Sequence, residues 1–186
     1  YAKTEAEKRA WEYAKNVGMN LVVINPTAVI GPFFHRHTPS TMLFDKLLKG
    51  ELNLLPPQTF GYVDVRDVAL GHLKAYENKN AEGRHILCTA CLDGFELMDL
   101  IREIEPDLEL PSKIVPMWKM NLFARWEITK SKFGYVPRIS PETVKEYMNK
   151  ITNYDANKAK GVLGWNPMDI KDSLRDTVNW IKHNLS

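Results

Sequence analysis

Two cysteines, Cys88 and Cys91, form the single C-x-x-C motif of this 186-residue sequence. Two thiols at that spacing suit either a redox pair or half of a tetrahedral zinc site. A structural zinc site needs four ligands, and no second C-x-x-C or closely spaced histidine pair follows, so zinc is not favoured. The redox interpretation stays open beside a plain alternative, two thiols at the end of a buried strand.

Histidines and carboxylates are the other candidates for chemistry. His35 and His37 stand two residues apart in a loop, without a carboxylate close by in sequence, and we expect no metal site there. Asp64 and Asp67 lie where a strand-like run passes into a helical pattern. Carboxylates at such a junction accept backbone N–H bonds and favour the helix dipole. The two aspartates are therefore predicted to be structural and not paired acid/base catalysts.

These residues must be positioned by alternating strands and helices. Strand-like apolar runs occur at 20–24, 60–63 and 84–89, and helical patterns at 40–49 and 65–77. Strands that alternate with helices are typical of α/β proteins with a largely parallel sheet. The sequence therefore predicts an α/β fold.

A helix precedes the first strand. Residues 1–18 are rich in alanine and strong helix formers, and Gly18 is suited to end the helix. The apolar residues recur at helical spacing and predict one stripe along about four turns. They are Ala6, Ala10, Trp11, Ala14 and Val17.

After Leu92 the pattern becomes mostly helical. Asp93 is predicted to cap a helix that ends before Pro106, and further helices are expected around 116–130 and from Ser140 onward. The last amphipathic face carries Ile170, Leu174, Val178 and Ile181.

Composition excludes little. The sequence is 44% hydrophobic and carries a net charge of +2, so charge proposes neither nucleic acid nor an acidic membrane as partner. The apolar stretches are too short to span a bilayer, and no signal-peptide pattern opens the chain. A cytoplasmic location is the expectation.

Several segments, in this order and spacing, resemble one enzyme family. Residues 1–18 read YAKTEAEKRAWEYAKNVG, residues 21–32 read LVVINPTAVIGP and residues 61–77 read GYVDVRDVALGHLKAYE. The tail adds D-x-x-K-A at 155–159 and L-G-W-x-P at 163–167. Together they resemble the second half of an extended short-chain dehydrogenase/reductase, of the NAD-dependent epimerase/dehydratase superfamily. The patterns are closest to those of dihydroflavonol 4-reductases and cinnamoyl-CoA reductases.

The resemblance implies an architecture and a reaction. Residues 1–92 would form the C-terminal part of a Rossmann-like dinucleotide-binding domain, and residues 93–186 a smaller, mostly helical substrate-binding lobe. The parent enzyme would bind NADP or NAD and move a hydride to or from a carbonyl or alcohol carbon of a small molecule. A homodimer built on the catalytic helix is a further expectation from the resemblance.

In this family a Tyr-x-x-x-Lys pair lies on one face of a helix. Residues four apart lie above one another there, so the ammonium favours the phenolate and the tyrosine transfers a proton. The resemblance assigns the catalytic and cofactor-binding lysine to Lys3, whose tyrosine would stand two residues before Tyr1. In the alternative register Tyr1 is the tyrosine, but Glu5 then occupies the lysine position.

The resemblance also assigns the remaining site residues. Pro26, Thr27 and Val29 are assigned to cofactor binding at the carboxyl end of a strand, where α/β proteins bind ligands. The backbone of the residues after Pro26 would meet the nicotinamide carboxamide, and Pro26 would fix the turn; a plain Pro-Gly turn is the alternative. Ser40 would place a hydroxyl near the cofactor, or else cap a helix. Phe33 and Tyr62 are expected to line the substrate pocket, with a core position as the alternative for Tyr62.

One family element is missing from the sequence. No G-x-G-x-x-G or G-x-x-G-x-x-G motif occurs, although a glycine-rich turn lets the backbone approach the pyrophosphate. We therefore expect the chain to be a C-terminal fragment that is inactive by itself. A nucleotide-sugar epimerase or dehydratase is the alternative enzyme, and a nonenzymatic scaffold derived from this fold is the alternative of a different class.

Overall fold

The computed structural model describes residues 2–131, 134–137 and 139–185. Five strands and eight helices are defined there. The strands are β1 (Val22–Pro26), β2 (Ala28–Ile30), β3 (Phe60–Asp64), β4 (Gly83–Leu87) and β5 (Ala90–Leu92). The helices are α1 (Ala2–Val17), α2 (Pro39–Leu48), α3 (Val65–Glu77), α4 (Gly94–Ile104), α5 (Met117–Ser131), α6 (Pro141–Tyr147), α7 (Asn157–Leu163) and α8 (Ile170–Asn184).

The strands form two small sheets that the chain joins between Pro26 and Ala28. β1 pairs with β4 in parallel, and β2 pairs with β3 in parallel. β5 adds to β3 in the antiparallel sense. This confirms the α/β class and its parallel pairing. The short strands β2 and β5 were not predicted separately, because three residues are too few to show a periodic pattern.

Helix α1 ends where the sequence predicts. Gly18 has a φ of +65°, and the N–H of Met19 donates to the carbonyl of Ala14 at 2.8 Å, which closes the last turn. Of the predicted apolar stripe only Ala14 is buried, and Val17 is 53% exposed. Most of that stripe is therefore a surface of the described structure.

A first hydrophobic core lies between the β2–β3–β5 sheet and helices α2, α4 and α8. Phe44 and Leu174 are fully buried in it, and Tyr62 is 2% exposed. The predicted face of the last helix packs here through Leu174, Val178 and Ile181, with Ile170 at its margin. Burial of each such side chain contributes about 1.5–3 kcal/mol, so α8 is a major part of the core.

A second core forms where α3 and α7 pack against β1 and β4. Its fully or nearly fully buried members include Val63, Leu87, Ala159 and Trp165. The indole Nε1–H of Trp165 donates to the carbonyl of Asp67 at 2.9 Å. The L-G-W-x-P pattern therefore fixes the tail to helix α3.

Both cores draw on residues from each side of position 92. Helix α8 contacts β2, β3, α2 and α4, and α7 contacts α3 and β4. The division into domains 1–92 and 93–186 stays a prediction. In the part of the chain described here, no helix has the length and apolar character needed to cross a bilayer.

Candidate functional site

The carboxyl ends of β1 and β4 meet at Thr27. Its backbone N–H donates to the carbonyl of Leu87 at 3.0 Å, and its hydroxyl donates to the same oxygen at 3.2 Å. Pro26, the last residue of β1, pairs with Leu87 across the parallel ladder. Both donors of Thr27 are thus engaged, which holds the chain rigidly where it leaves one sheet for the other.

A cavity of about 490 Å³ opens directly beyond this point and is called here the Gly31 cavity. Its size falls in the range of small-molecule sites. Four residues that the sequence predicts for the site line it together: Thr27, Val29, Phe33 and Ser40. Phe33 is 65% exposed and has a φ of +74°, an uncommon conformation for a residue with a side chain. Its ring meets that of Trp180 edge-on, with centroids 5.3 Å apart.

The floor of the Gly31 cavity is a strained turn. Gly31 has a φ of +115°, and a Cβ placed there would lie 2.9 Å from Oδ2 of Asp64. Its backbone N–H donates to the hydroxyl of Thr177 at 2.8 Å, and that hydroxyl donates to the carbonyl of Ser173 at 2.7 Å. Only glycine fits this position without displacing a neighbour.

Arg66 is the charged residue that lines the Gly31 cavity, and the fully buried Asp64 holds it in place. Asp64 caps α3 by accepting the N–H of Arg66 at 2.8 Å, and it also accepts from the guanidinium at 2.8 and 2.9 Å. Burial acts to raise the pKa of Asp64, but the hydrogen bonds from Arg66 outweigh it and hold that pKa below its ordinary value. Arg66 also pairs with Asp176 of α8 at 2.7 Å. The arginine is therefore neutralised by two carboxylates.

Asp67 has a different, structural environment. It is 6% exposed and accepts the backbone N–H of Met168 at 3.1 Å. Burial raises its pKa. The structural role predicted for both aspartates agrees with these contacts, because Asp64 caps the helix and Asp67 holds the tail.

Ser40 lies at the start of α2 without capping it. The capping residue is Thr38, whose side chain accepts from the N–H of Thr41 at 3.3 Å, with Pro39 in the first turn. The helix-cap alternative for Ser40 is therefore wrong, because Thr38 already occupies the position from which a side chain reaches the free N–H groups. Ser40 borders two cavities instead.

The second of these, called here the Met120 cavity, measures about 510 Å³. Its wall is mostly apolar and includes Leu54, Phe60, Tyr62 and Met120 besides Ser40. Tyr62 is at once a wall residue and a core residue, since it is 2% exposed and its ring lies 6.3 Å from that of Phe44. Burial raises the pKa of its phenol, so this tyrosine stays protonated.

A third cavity of about 430 Å³, called here the Arg84 cavity, lies on the other side of Thr27. Pro26 and Thr27 line it with Arg84 and Tyr154. The sequence did not single out the latter two. Arg84 breaks an otherwise buried strand pattern and Tyr154 precedes the D-x-x-K-A motif, but neither signal indicates a cavity.

Lys3 lies on an exposed face of α1 and is not among the residues that line these three cavities. The helix is tied to the Arg84 cavity by an ion pair of 2.9 Å between Glu7 and Arg84. Tyr1, the alternative catalytic residue, lies outside the described residues. The structure thus gathers the predicted strand-end residues but leaves Lys3 apart from them.

Comparison with known proteins shows what the chain is similar to. Residues 1–88 match the NAD dependent epimerase/dehydratase family. Cinnamoyl-CoA reductase 2 of Medicago truncatula is 40% identical over 114 residues, which are 61% of this chain and 34% of that protein. A bifunctional dihydroflavonol 4-reductase/flavanone 4-reductase of Malus domestica is 34% identical over 114 residues, 60% of this chain and 33% of that protein.

A solved structure, that of Gre2 from Candida albicans in complex with NADPH, covers 97% of this chain with a TM-score of 0.62 and 28% identity. This chain matches 50% of that structure, and about a third of the length of the two curated relatives. Over residues 1–88 the chain therefore matches the NAD dependent epimerase/dehydratase family, and it is similar in sequence to the cinnamoyl-CoA and dihydroflavonol reductases.

Proposed function

We propose that this chain is the C-terminal portion of an NAD(P)-dependent oxidoreductase that reduces a carbonyl, or oxidises an alcohol, of a small molecule. The main support is the Gly31 cavity, where Thr27, Val29, Phe33 and Ser40 meet at the carboxyl end of a parallel strand pair. Ligands of open α/β sheets bind at such ends. The relatives are named as reductases, which favours a reductase over the epimerase or dehydratase alternative.

The lining residues suit a nicotinamide. Val29 and Phe33 offer apolar surface for a flat ring, whereas Ser40 adds a hydroxyl to the same wall. Thr27 is held by two hydrogen bonds to Leu87, so this part of the cavity wall is fixed. When bound, the cofactor would supply or accept the hydride.

Lys3 is proposed to be the catalytic and cofactor-binding lysine of helix α1. Its ammonium would bind the ribose hydroxyls and favour the phenolate of a tyrosine four residues earlier. Residues four apart lie on the same face of a helix, so such a pair would be adjacent. The surrounding Lys-Thr-x-Ala-Glu pattern at residues 3–7 supports this register.

Two further expectations remain proposals. A homodimer would cover the exposed stripe of α1, where Ala6, Ala10 and Val17 are open to solvent. A cytoplasmic location also stays a prediction. Chain mass measured by sedimentation would test the dimer, and replacement of Ala10 by glutamate on the stripe is expected to dissociate it.

Cofactor binding is tested first by calorimetric titration of the chain with NADPH and with NADH. We expect no binding by the 186-residue chain itself, since the glycine-rich turn that holds the pyrophosphate is missing. The full-length protein is expected to bind one of the two at micromolar concentration. If the full-length protein bound neither, the oxidoreductase proposal would be wrong.

The lysine assignment is tested in the full-length protein. Lys3→Ala is expected to lower turnover by about 10²-fold or more, the scale of a lost acid/base partner, while the circular dichroism spectrum is unchanged. Lys8→Ala is the matched control, because Lys8 is an exposed lysine on the same helix and pairs with Glu5 at 3.0 Å. Near-normal turnover of Lys3→Ala would show that the register is wrong even if the protein binds cofactor.

A further inference from the structure

The side chains of the two cysteines lie close together. Cys88 follows β4 directly, and Cys91 is the middle residue of β5. The chain reverses between them, from a parallel strand to an antiparallel one, and brings the two Sγ atoms to 3.6 Å. Both are free thiols. The two sulfurs are therefore about 1.5 Å farther apart than in a disulfide.

The two thiols differ in exposure. Cys88 is 5% exposed, whereas Cys91 is only partly buried. Burial raises the pKa of Cys88, and its contact with Cys91 acts in the same direction. An oxidant that arrives from solvent therefore reaches Cys91 first. Cys88 lies deeper and remains a protonated thiol.

No other chemistry in the neighbourhood uses the pair. Among residues 2–131, 134–137 and 139–185, no three histidine, cysteine or carboxylate side chains are grouped closely enough to hold a metal ion. The hydroxyl of Thr27 donates to the carbonyl of Leu87, and the Gly31 cavity is lined without either cysteine. The proposed reaction of the site does not involve these sulfurs.

We propose that Cys88 and Cys91 are an oxidation site that forms a reversible disulfide within the chain. The oxidant is a peroxide. The sulfur of Cys91 attacks one peroxide oxygen and the O–O bond breaks; the departing hydroxide takes up the Cys91 thiol proton and leaves as water, giving a sulfenic acid. The sulfur of Cys88 then attacks the sulfenic sulfur and the S–O bond breaks; the departing hydroxide takes up the Cys88 thiol proton and leaves as the second water. Two thiols and one peroxide thus yield one disulfide and two waters, and a dithiol reductant reverses the change.

The disulfide would affect the wall of the Arg84 cavity. The backbone N–H of Tyr154 donates to Sγ of Cys91 at 3.4 Å, and Tyr154 lines that cavity with Thr27. A disulfide shortens the sulfur separation from 3.6 Å to about 2.05 Å and draws Cys91 toward Cys88. The hydrogen bond that holds Tyr154 at the cavity wall is then weakened. Oxidation would therefore loosen this wall independently of any catalytic role.

Intact mass and thiol titration test the covalent step. The protein is treated with hydrogen peroxide, unfolded and titrated. We expect both of its thiols to disappear, the mass to fall by two hydrogen atoms, and dithiothreitol to restore both. Retention of both thiols, addition of oxygen atoms to cysteine, or a dimer linked between chains would overturn the proposal.

Two variants locate the bond. Cys91→Ser is the preferred variant because Cys91 is partly exposed. Its remaining thiol, Cys88, should be oxidised by peroxide at least tenfold more slowly than the pair in the native protein. Cys88→Ser should let peroxide leave Cys91 as a sulfenic acid that dimedone traps. Loss of two hydrogen atoms in either variant would contradict the pairing.

Amide exchange tests the effect on the cavity. We expect the Tyr154 N–H to exchange with deuterium at least several-fold faster in the oxidised protein. The control is the N–H of Val144, which donates to the carbonyl of Ser140 at 3.0 Å. Its exchange rate should not change. An unchanged Tyr154 rate in fully oxidised protein would refute the coupling to the Arg84 cavity.

Discussion

Asp64 Oδ1 accepts two hydrogen bonds from the same residue, the backbone N–H and the Nε–H of Arg66, both at 2.8 Å. One carboxylate oxygen thus caps helix α3 and anchors the guanidinium that reaches Asp176 on α8. The V-D-V-R-D segment therefore joins a strand end, a helix start and a distant helix at one point. Its position beside Gly31 makes it the support of the Gly31 cavity.

Asp64→Ala is expected to destabilise the protein by about 2–3 kcal/mol, the loss of a helix cap together with an ion pair whose carboxylate is fully buried. Asp64→Asn keeps an oxygen for the Arg66 N–H and should cost clearly less. Urea denaturation measures both. Asp172→Ala is the control, because Asp172 forms an exposed pair with Arg175 on α8, and its loss should cost less than about 1 kcal/mol. Equal effects of Asp64→Ala and Asp172→Ala would refute the role of Asp64.

Gly31→Ala should lower the free energy of unfolding by at least about 2 kcal/mol. An alanine at a φ of +115° is strained by about 1–3 kcal/mol, and its Cβ would lie 2.9 Å from Asp64 Oδ2. Thermal unfolding provides the measurement. In contrast, Gly161→Ala in α7 meets open space and should stabilise by up to about 1 kcal/mol through helix propensity. A Gly31→Ala protein as stable as the wild type would show that the turn can relax.

Thr177→Val removes the hydroxyl that accepts the Gly31 N–H while it keeps the shape of the side chain. The buried N–H then loses its partner, which costs about 1–3 kcal/mol. Thr177→Ser retains the hydroxyl and should lose only the packing of one methyl group, about 0.8 kcal/mol. The Gly31 amide should exchange faster with deuterium in the valine variant alone. Equal protection of that amide in both variants would contradict the predicted link.

Because His85 is buried, we expect the free energy of unfolding to depend on pH near pH 6. The residue is fully buried in β4, and burial lowers the pKa of its imidazole from the ordinary value of 6.5, with the ammonium of Lys158 adding to the effect. The unfolded chain therefore binds the proton more readily. The stabilising contribution is complete above pH 6.5 and is lost as the pH falls through the lowered folded pKa.

Thermal unfolding between pH 7 and pH 5 measures this dependence. His85→Leu should flatten the slope in that window, because the group that titrates on unfolding is gone. The unaltered protein, measured over the same pH window, is the reference. A slope that persists in His85→Leu would assign it to other groups.

Much of the fold was predictable because the long elements repeat their pattern. Helices α1, α3, α4 and α8 carry several turns of apolar spacing, and the strand ends at Pro26 and Asp64 are marked by a family pattern. Strand β5 and helix α7 offer three and seven residues, too few for periodicity to stand out. Local signals of this kind fail where an element is short.

The sequence could bring predicted site residues together only where they are close along the chain. Thr27, Val29, Phe33 and Ser40 come from one stretch and line one cavity. Arg84 and Tyr154 reach their cavity from distant positions, and no spacing rule connects them. The hydrogen bond from Gly31 to Thr177 spans 146 residues and was equally hidden. Such pairings depend on tertiary packing.

The same hydrogen bond sets an order of events during protein synthesis. Because Gly31 and Thr177 are 146 residues apart, the ribosome must add that length after Gly31 before the turn acquires its partner. At about 5–20 residues per second this takes roughly 7–30 s. Until then β2 and β3 lack the helix that covers them, and their apolar faces are open to chaperones or to other nascent chains. The Gly31 cavity is therefore assembled late, and errors in docking α8 would leave a chain with most of its secondary structure but without this cavity.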